Sequence, residues 1–182
     1  MRVVSGKARG VKLLAVPGDT TRPILDRVKT ALFDTIRPQI QDAKILDLFA
    51  GSGSVGIEAL SQGAKHCTFL DLAPNAITSI NKNLENTKLA SQAMVRKVDA
   101  FAFLKRSQEY FDLIFVAPPQ YKQIWIEALR LIAERPELVS ENGSIIVQID
   151  PKEYEELQLA SFSEEKRRSY GNTELIFYSK KT

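Results

Sequence analysis

The sequence predicts an α/β, Rossmann-like fold: a mostly parallel seven-stranded sheet that ends in an antiparallel terminal hairpin strand. Three observations point there. From Lys44 onward, short apolar runs alternate with amphipathic stretches, the pattern of repeated strand–helix units on a parallel sheet. A glycine-rich turn, Gly51-Ser52-Gly53-Ser54-Val55-Gly56, follows the first apolar run and opens a helix. Near the end, two extended segments are separated by Tyr170-Gly171-Asn172, which leaves no room for a crossover helix and implies a hairpin.

The first fifteen residues read as a small basic β-hairpin around Ala8-Arg9-Gly10. Leu25, Val28, Leu32 and Ile36 then trace a helical stripe that stops near Pro38. Residues 44–49 form the first expected strand, and residues 55–61 the helix after the glycine turn. Residues 67–71 form the second strand. Pro74 sits where a first-turn proline is welcome and opens a helix with Ile77, Ile80 and Leu84 on one face. Residues 94–98 are the third strand, with a short helix after Asp99. Residues 112–116 and 144–149 are the fourth and fifth strands, the latter entered through a turn at Glu141-Asn142-Gly143. Residues 162–168 and 174–179 close the sheet as the hairpin. Neither an internal repeat nor a linker interrupts the chain. Its 182 residues fit one domain, with 1–43 as a basic hairpin-and-helix extension and 44–182 as the core.

Composition narrows the class. Hydrophobic residues make up 44% and charged residues 26%, as in ordinary soluble globular proteins. One cysteine, Cys67, cannot form an internal disulfide, and with one histidine, His66, it cannot build a cysteine–histidine metal site. No apolar run approaches membrane-spanning length, and the start lacks a signal peptide's apolar stretch, so a cytoplasmic protein is expected. The net charge of +3 is unevenly spread. Residues 1–44 hold nine Lys/Arg against four Asp/Glu, whereas residues 45–182 hold sixteen against eighteen. Four bases, Arg2, Lys7, Arg9 and Lys12, fall in the first twelve residues with no acid among them. Such clustering is either an electrostatic footprint for nucleic-acid phosphate or a solvated arm, and charge alone does not decide.

The strand ends carry more specific chemistry. Glycines in the turn let the backbone approach a ligand, and the helix start favours an anionic group. Asp47 lies near the end of the first strand, Asp71 ends the second, and Asp99 follows the third. With strands in the order 3-2-1, the outer carboxylates stand about 10 Å apart, too far to share a metal ion but suited to an elongated nucleoside. Asp71 is placed for ribose hydroxyls, Asp99 for an adenine amino group, and Asp47 for an ammonium or the glycine turn. The plainer reading makes each a helix cap, which for Asp99 is equally good. A nucleoside with a charged amino-acid tail points to S-adenosylmethionine. A nicotinamide site would more typically carry an apolar residue at position 47 and continue into a second mononucleotide half. The fourth strand delivers Ala117-Pro118-Pro119-Gln120-Tyr121 beside the first strand. Prolines donate no backbone hydrogen bond, so this turn reads as an acceptor array for an exocyclic amine, or simply as a strand-ending turn.

Across nearly the whole chain these residues resemble the RsmD-type methyltransferases. The likeness is carried by Arg2-Val3-Val4-Ser5-Gly6-Lys7 with Arg9-Gly10 and Leu13, and by Thr21-Arg22-Pro23 with Asp26-Arg27-Val28-Lys29 and Leu32-Phe33. A third signature is Leu46-Asp47-Leu48-Phe49-Ala50-Gly51-Ser52-Gly53 with Gly56 and Glu58-Ala59-Leu60. The resemblance implies a class I S-adenosylmethionine-dependent methyltransferase fold and transfer to the N2 amine of a guanine in small-subunit ribosomal RNA. It implies a substrate presented in an assembling subunit, with the basic N-terminal hairpin engaging the RNA. Donor binding is then expected from Asp47, Phe49, Ala50, Gly51, Ser52, Gly53, Asp71, Leu72, Asp99 and Ala100, with S-adenosylhomocysteine as product. The transfer site is expected at Ala117, Pro118, Pro119, Gln120 and Tyr121, the RNA contacts at Arg2, Lys7, Arg9, Lys12, Arg22 and Arg27, and no metal or partner subunit is required.

One departure matters. The family carries Asp or Asn, then Pro-Pro, then an aromatic residue, whereas here Ala117 replaces the acid or amide and Gln120 the aromatic. Either Gln120 or Tyr121 substitutes, or the substrate has changed, or the chain binds RNA with little catalysis. A nicotinamide-dependent oxidoreductase is the more distant alternative. Arg27 and Lys29 are read on one edge of their helix, within reach of a phosphate or carboxylate, or as a solvated flank with Asp26 pairing Arg27. His66 falls on the sheet edge opposite the ligand, Cys67 and Trp125 read as core, and Lys166-Arg167-Arg168 as a solvated strand edge.

Overall fold

The computed structural model describes residues 1–18 and 23–182. Seven strands form one sheet in the order β3-β2-β1-β4-β5-β7-β6. In chain order they are β1 (Lys44–Asp47), β2 (His66–Asp71), β3 (Ala93–Lys97), β4 (Phe111–Val116), β5 (Val139–Ile149), β6 (Phe162–Tyr170) and β7 (Thr173–Lys180). Strands β1 to β5 are parallel, as right-handed crossovers through α2 (Ser54–Ser61), α3 (Pro74–Thr87), α4 (Ala100–Arg106) and α5 (Ile124–Glu134) dictate. The order reverses between β1 and β4, which opens a crevice at their carboxyl ends. Only β7 runs against the rest: it inserts between β5 and β6, pairing antiparallel with both. The hairpin expectation holds, and the insertion puts the tight turn at Gly171-Asn172 beside the carboxyl end of β5.

Two apolar clusters cover the two faces of the sheet. The period of two sorts the side chains. Phe115 and Ile146 face the cluster that also holds Val3, Leu13 and Val28, while Val116 and Val147 face the one holding Trp125 and Leu129. Gly56 sets how closely α2 lies on the sheet: a Cβ there would come within 2.3 Å of the Phe69 ring and 2.7 Å of Cys67 Sγ.

Three boundaries differ from expectation. The helical stripe begins one turn later, because α1 spans Asp26–Ile36 and Leu25 precedes it, exposed. The expected turn at Glu141-Asn142-Gly143 lies inside β5, which continues through it where the pairing with β4 shifts between Phe111 and Leu113. The N-terminal hairpin forms but ends at Leu13 rather than residue 15: around the Arg2–Lys12 bridge, the Val3 amide donates to the Val11 carbonyl at 2.9 Å, the Gly10 amide to Val3 at 2.8 Å and the Leu13 amide to Met1 at 3.0 Å.

What holds that N-terminal segment is a buried ion pair. Lys29 on α1 and Glu58 on α2 meet at 3.1 Å, both side chains wholly enclosed. The lysine also donates to the Arg2 carbonyl at 2.7 Å and to Ser54 Oγ at 3.1 Å. The glutamate accepts the Val4 and Ser5 amides at 2.9 and 3.0 Å and Gln62 Nε2 at 2.8 Å. Lys29 is therefore not on a solvated or phosphate-facing flank, since burial of Val28, Leu32 and Phe33 turns it inward to its only strong counter-charge. Asp26 pairs with Arg2 rather than with Arg27. Gly6 completes the docking: a Cβ there would lie 1.9 Å from the Ser61 carbonyl oxygen, and its φ is +86°. A buried charge left alone costs more than the pair contributes. Lys29→Met is therefore expected to lower stability by about 3–5 kcal/mol, and Lys29→Met with Glu58→Gln to recover a clear part of that loss. Urea unfolding measures both; a single variant within about 1 kcal/mol of the parent, or a double variant no better than the single, contradicts the assignment.

Candidate active site

The crevice beyond β1 and β4 is built by acid-to-amide hydrogen bonds. Asp71, ending β2, accepts the Gly51 amide at 2.9 Å and the Ala73 amide at 2.9 Å. It thereby ties the turn after β1 to the turn after β2. Asp47, ending β1, accepts the Gly56 amide at 3.3 Å, so it caps the first turn of α2 from below. Asp99 accepts the Ala102 amide at 2.8 Å and is the N-cap of α4, the plainer of its two readings, while still lining the crevice.

Two chambers occupy the crevice. One, of about 540 Å³, runs over β2 and β3 and is bounded by Asp71, Leu72, Val98, Asp99, Ala100, Phe101 and Pro119. The other, of about 460 Å³, lies over β1, β4 and β5 and is bounded by Asp47, Ala50, Ser52, Pro118, Gln120 and Gln148. Phe49, Gly51, Ala117 and Val16 border both. Thus the structure brings the expected donor residues to one crevice, Gly53 excepted, which lines neither chamber. Of the expected transfer residues, Ala117, Pro118, Pro119 and Gln120 line it. Tyr121 does not: its backbone is left-handed at φ 64°, its amide donates to Glu153 at 2.8 Å and its hydroxyl to Asp150 at 2.6 Å. Those contacts turn the ring outward, toward the segment after β5.

Sequence reasoning missed the roof. Residues 14–17 lie along α3, held by one polar face of that helix. Asn83, fully buried, accepts the Leu14 amide at 2.8 Å and donates to the Leu14 carbonyl at 3.0 Å and the Ser52 carbonyl at 2.9 Å. One turn on, Ser79 reaches Ala15, and a further turn on, Asn75 reaches Pro17. This spacing of four residues was readable as a polar stripe, but not its partner. The result places Val16, Pro17 and Gly18 over the crevice, with Pro23, Ile24 and Leu25 on its far side.

The basic residues divide into two places. Arg2 and Lys12 face each other across the bridge, and Arg27 lies near Gly171, beside the cavity-lining Asn172 and Thr173. Lys7 instead donates its amide to the Ser61 carbonyl at the far end of α2, with Arg9 at the same tip. That is one helix of eight residues, about 12 Å, from the glycine turn. All five side chains are exposed, and Arg22 lies outside the described residues.

Residues 1–179 match the family described as conserved hypothetical protein 95. The chain belongs to that family, the RsmD-type methyltransferases. It is 40% identical over 137 residues to ribosomal RNA small subunit methyltransferase D of Haemophilus influenzae, across 74% of this chain and 71% of that one. It is 36% identical over 184 residues to YlbH of Bacillus subtilis (strain 168), across 100% of both. The solved structure of yhhF from Escherichia coli superposes with a TM-score of 0.88 at 30% identity, over 100% of this chain and 98% of that one. SMU.776, solved in complex with SAH, shares the fold at a TM-score of 0.61 and 17% identity, over 80% of this chain and 48% of that one. The RsmD-type chain thus has the sheet of a class I methyltransferase, and its crevice lies where such sheets take ligands.

Burial gives this RsmD-type crevice a titration. Removal from water, with Asp71 nearby, pushes the Asp47 carboxyl up to about 7 despite the Gly56 amide, which favours the charged form. The folded chain therefore binds a proton that the unfolded chain releases near pH 4. Stability from this group is greatest at acid pH, falls as pH rises through the window from about 4 to 7, and is level above it. Asp47→Asn is expected to flatten that loss, measured as urea unfolding at pH 4.5, 6 and 7.5; parallel pH profiles for parent and variant contradict it.

Proposed function

We propose that this chain transfers a methyl group from S-adenosylmethionine to the exocyclic N2 amine of a guanine in small-subunit ribosomal RNA. The observation that carries the proposal is the pair of chambers meeting at Phe49, Gly51 and Ala117, one shaped for a nucleoside and one open to a second molecule. The residues fit the donor. Asp71 retains lone pairs for ribose hydroxyls beside those used by Gly51 and Ala73. Leu72, Val98, Phe101 and Pro119 give a flat base apolar walls, and Asp99 and Ala100 give it a polar edge. Asp47 offers an ammonium a carboxylate that, among the described residues, is bonded only to the Gly56 amide. That pairing would draw its carboxyl back toward the charged form.

When bound, the donor supplies a methyl already activated on a sulfonium, so the protein's contribution is position. Ala117 and Pro118 end β4 at the junction of the chambers, where their carbonyls accept N–H groups of an amine and leave its lone pair facing the donor. The amine nitrogen gains the methyl and sheds one proton to solvent. Support for an RNA substrate comes from the family relatives named for ribosomal RNA methylation and from the exposed bases of the N-terminal segment. Arg2 follows the chamber-lining Met1 and faces Lys12 across the bridge, Arg27 lies near Gly171, and Lys7 and Arg9 stand at the far end of α2, together a track for a phosphate backbone. Ala117 favours a second reading, an RNA-binding assembly protein with little catalysis, because it lacks the family's side-chain acceptor.

One experiment separates the two. Undermethylated small subunits and free ribosomal RNA are incubated with tritium-methyl donor, alongside calorimetry of S-adenosylhomocysteine binding. Label in a guanine N2 position is expected. The Arg2→Ala/Arg27→Ala variant is expected to raise KM for the subunit and weaken its salt dependence, with donor affinity unchanged. No incorporation despite donor and RNA binding overturns the enzymatic reading, and an unchanged KM overturns the RNA track.

A further inference from the structure

The side-chain acceptor absent at Ala117 has a counterpart on the neighbouring strand. Strands β4 and β5 are parallel and in register through Val116 and Val147, so the next residues along, Ala117 and Gln148, stand side by side. By the alternation of a strand both face the same side as Phe115 and Ile146. The chamber over β1, β4 and β5 is lined by both Ala117 and Gln148, and by Phe49 just past β1. Gln148 Oε1 is buried, and among the described residues it accepts no hydrogen bond. Buried amide oxygens are nearly always paired, and one left open at a cavity wall marks a place for a donor. Ala117 leaves the space in front of it clear, where Asn or Asp would have filled it.

We propose that Gln148 is the side-chain acceptor of the transfer site, receiving an N–H of the guanine amine in place of the residue that Ala117 lacks. The proposal rests on the reading above and deepens it. One N–H goes to Gln148 Oε1 and the other to a backbone carbonyl of the Ala117-Pro118 turn. An amide is neutral and takes no proton, so Gln148 positions the nitrogen, and the proton released on transfer goes to solvent as before. Strand placement makes Gln148 better fixed than Gln120, which stands in the turn beyond the prolines.

The variants Gln148→Leu, Ala117→Asn and the double variant carry the test, with two readouts. In methyl transfer to undermethylated small subunits, Gln148→Leu is expected to lower kcat at least tenfold while the Kd for S-adenosylhomocysteine stays within twofold. The double variant is expected to recover a large part of that loss. In titrations monitored by nuclear magnetic resonance with S-adenosylhomocysteine present, the parent is expected to bind guanosine monophosphate more tightly than inosine monophosphate, which lacks the amine. Gln148→Leu is expected to abolish that preference. Parent-like turnover by Gln148→Leu, a parallel loss of donor binding, or a nucleotide preference that is absent or survives in the variant overturns the proposal. If the parent itself transfers no methyl group, the functional reading fails, and the nucleotide titration still decides Gln148.

Discussion

The hydrogen bond from the Gly51 amide to Asp71 joins the turn after β1 to the end of β2, and the remainder of the site is arranged around it. It acts with the Ala50 amide, which donates to the Leu70 carbonyl at 2.8 Å, to set the height of the glycine turn above the sheet. With it, Asp47 can reach the first turn of α2, and α2 can lie close enough on β2 for Gly56 to leave no space for a Cβ. The two carboxylates thus hold the backbone amides that frame the crevice. Burial pushes the Asp47 carboxyl up to about 7.

A second constraint binds the N-terminal segment to this frame. Charge in residues 1–44 suggested an arm, but the Lys29–Glu58 pair, the amides it gathers and the Asn83 contacts make the segment part of the body. The consequence for function is geometric. Residues 14–17 become a roof, and Lys7 and Arg9 are fixed at the far end of α2 rather than carried on a tether, as the proposed RNA track requires. A rigid track is a better register for a folded RNA surface than a mobile tail, because less ordering entropy opposes binding.

How much of this was legible in the sequence follows the range of the interactions. The strands, the glycine turn and the three strand-end acids are local patterns, and the structure keeps them within a residue or two, except that β5 begins five residues early, at Val139. Asp99 as a cap was equally legible. Lys29 was misplaced because helical spacing gives a side chain's direction but not its partner, and Glu58 lies on another helix. Leu25 extended an apolar stripe past the real helix start for the same reason. The roof over the crevice depends on Asn83, whose partners at Leu14 and Ser52 lie far from it in the sequence. Gln148 was invisible beside Ala117 because their adjacency comes from strand register, which no spacing in the sequence displays.

The central claim is that the crevice beyond β1 and β4 is a divided site for an adenosyl donor and a second molecule. A crystal structure of the chain grown with S-adenosylhomocysteine tests it most directly. The ligand is predicted with its ribose at Asp71, its base between Leu72 and Phe101, its ammonium at Asp47, and its sulfur facing Ala117. A ligand seated away from the glycine turn, or a crevice left unfilled at saturating ligand, would contradict the account.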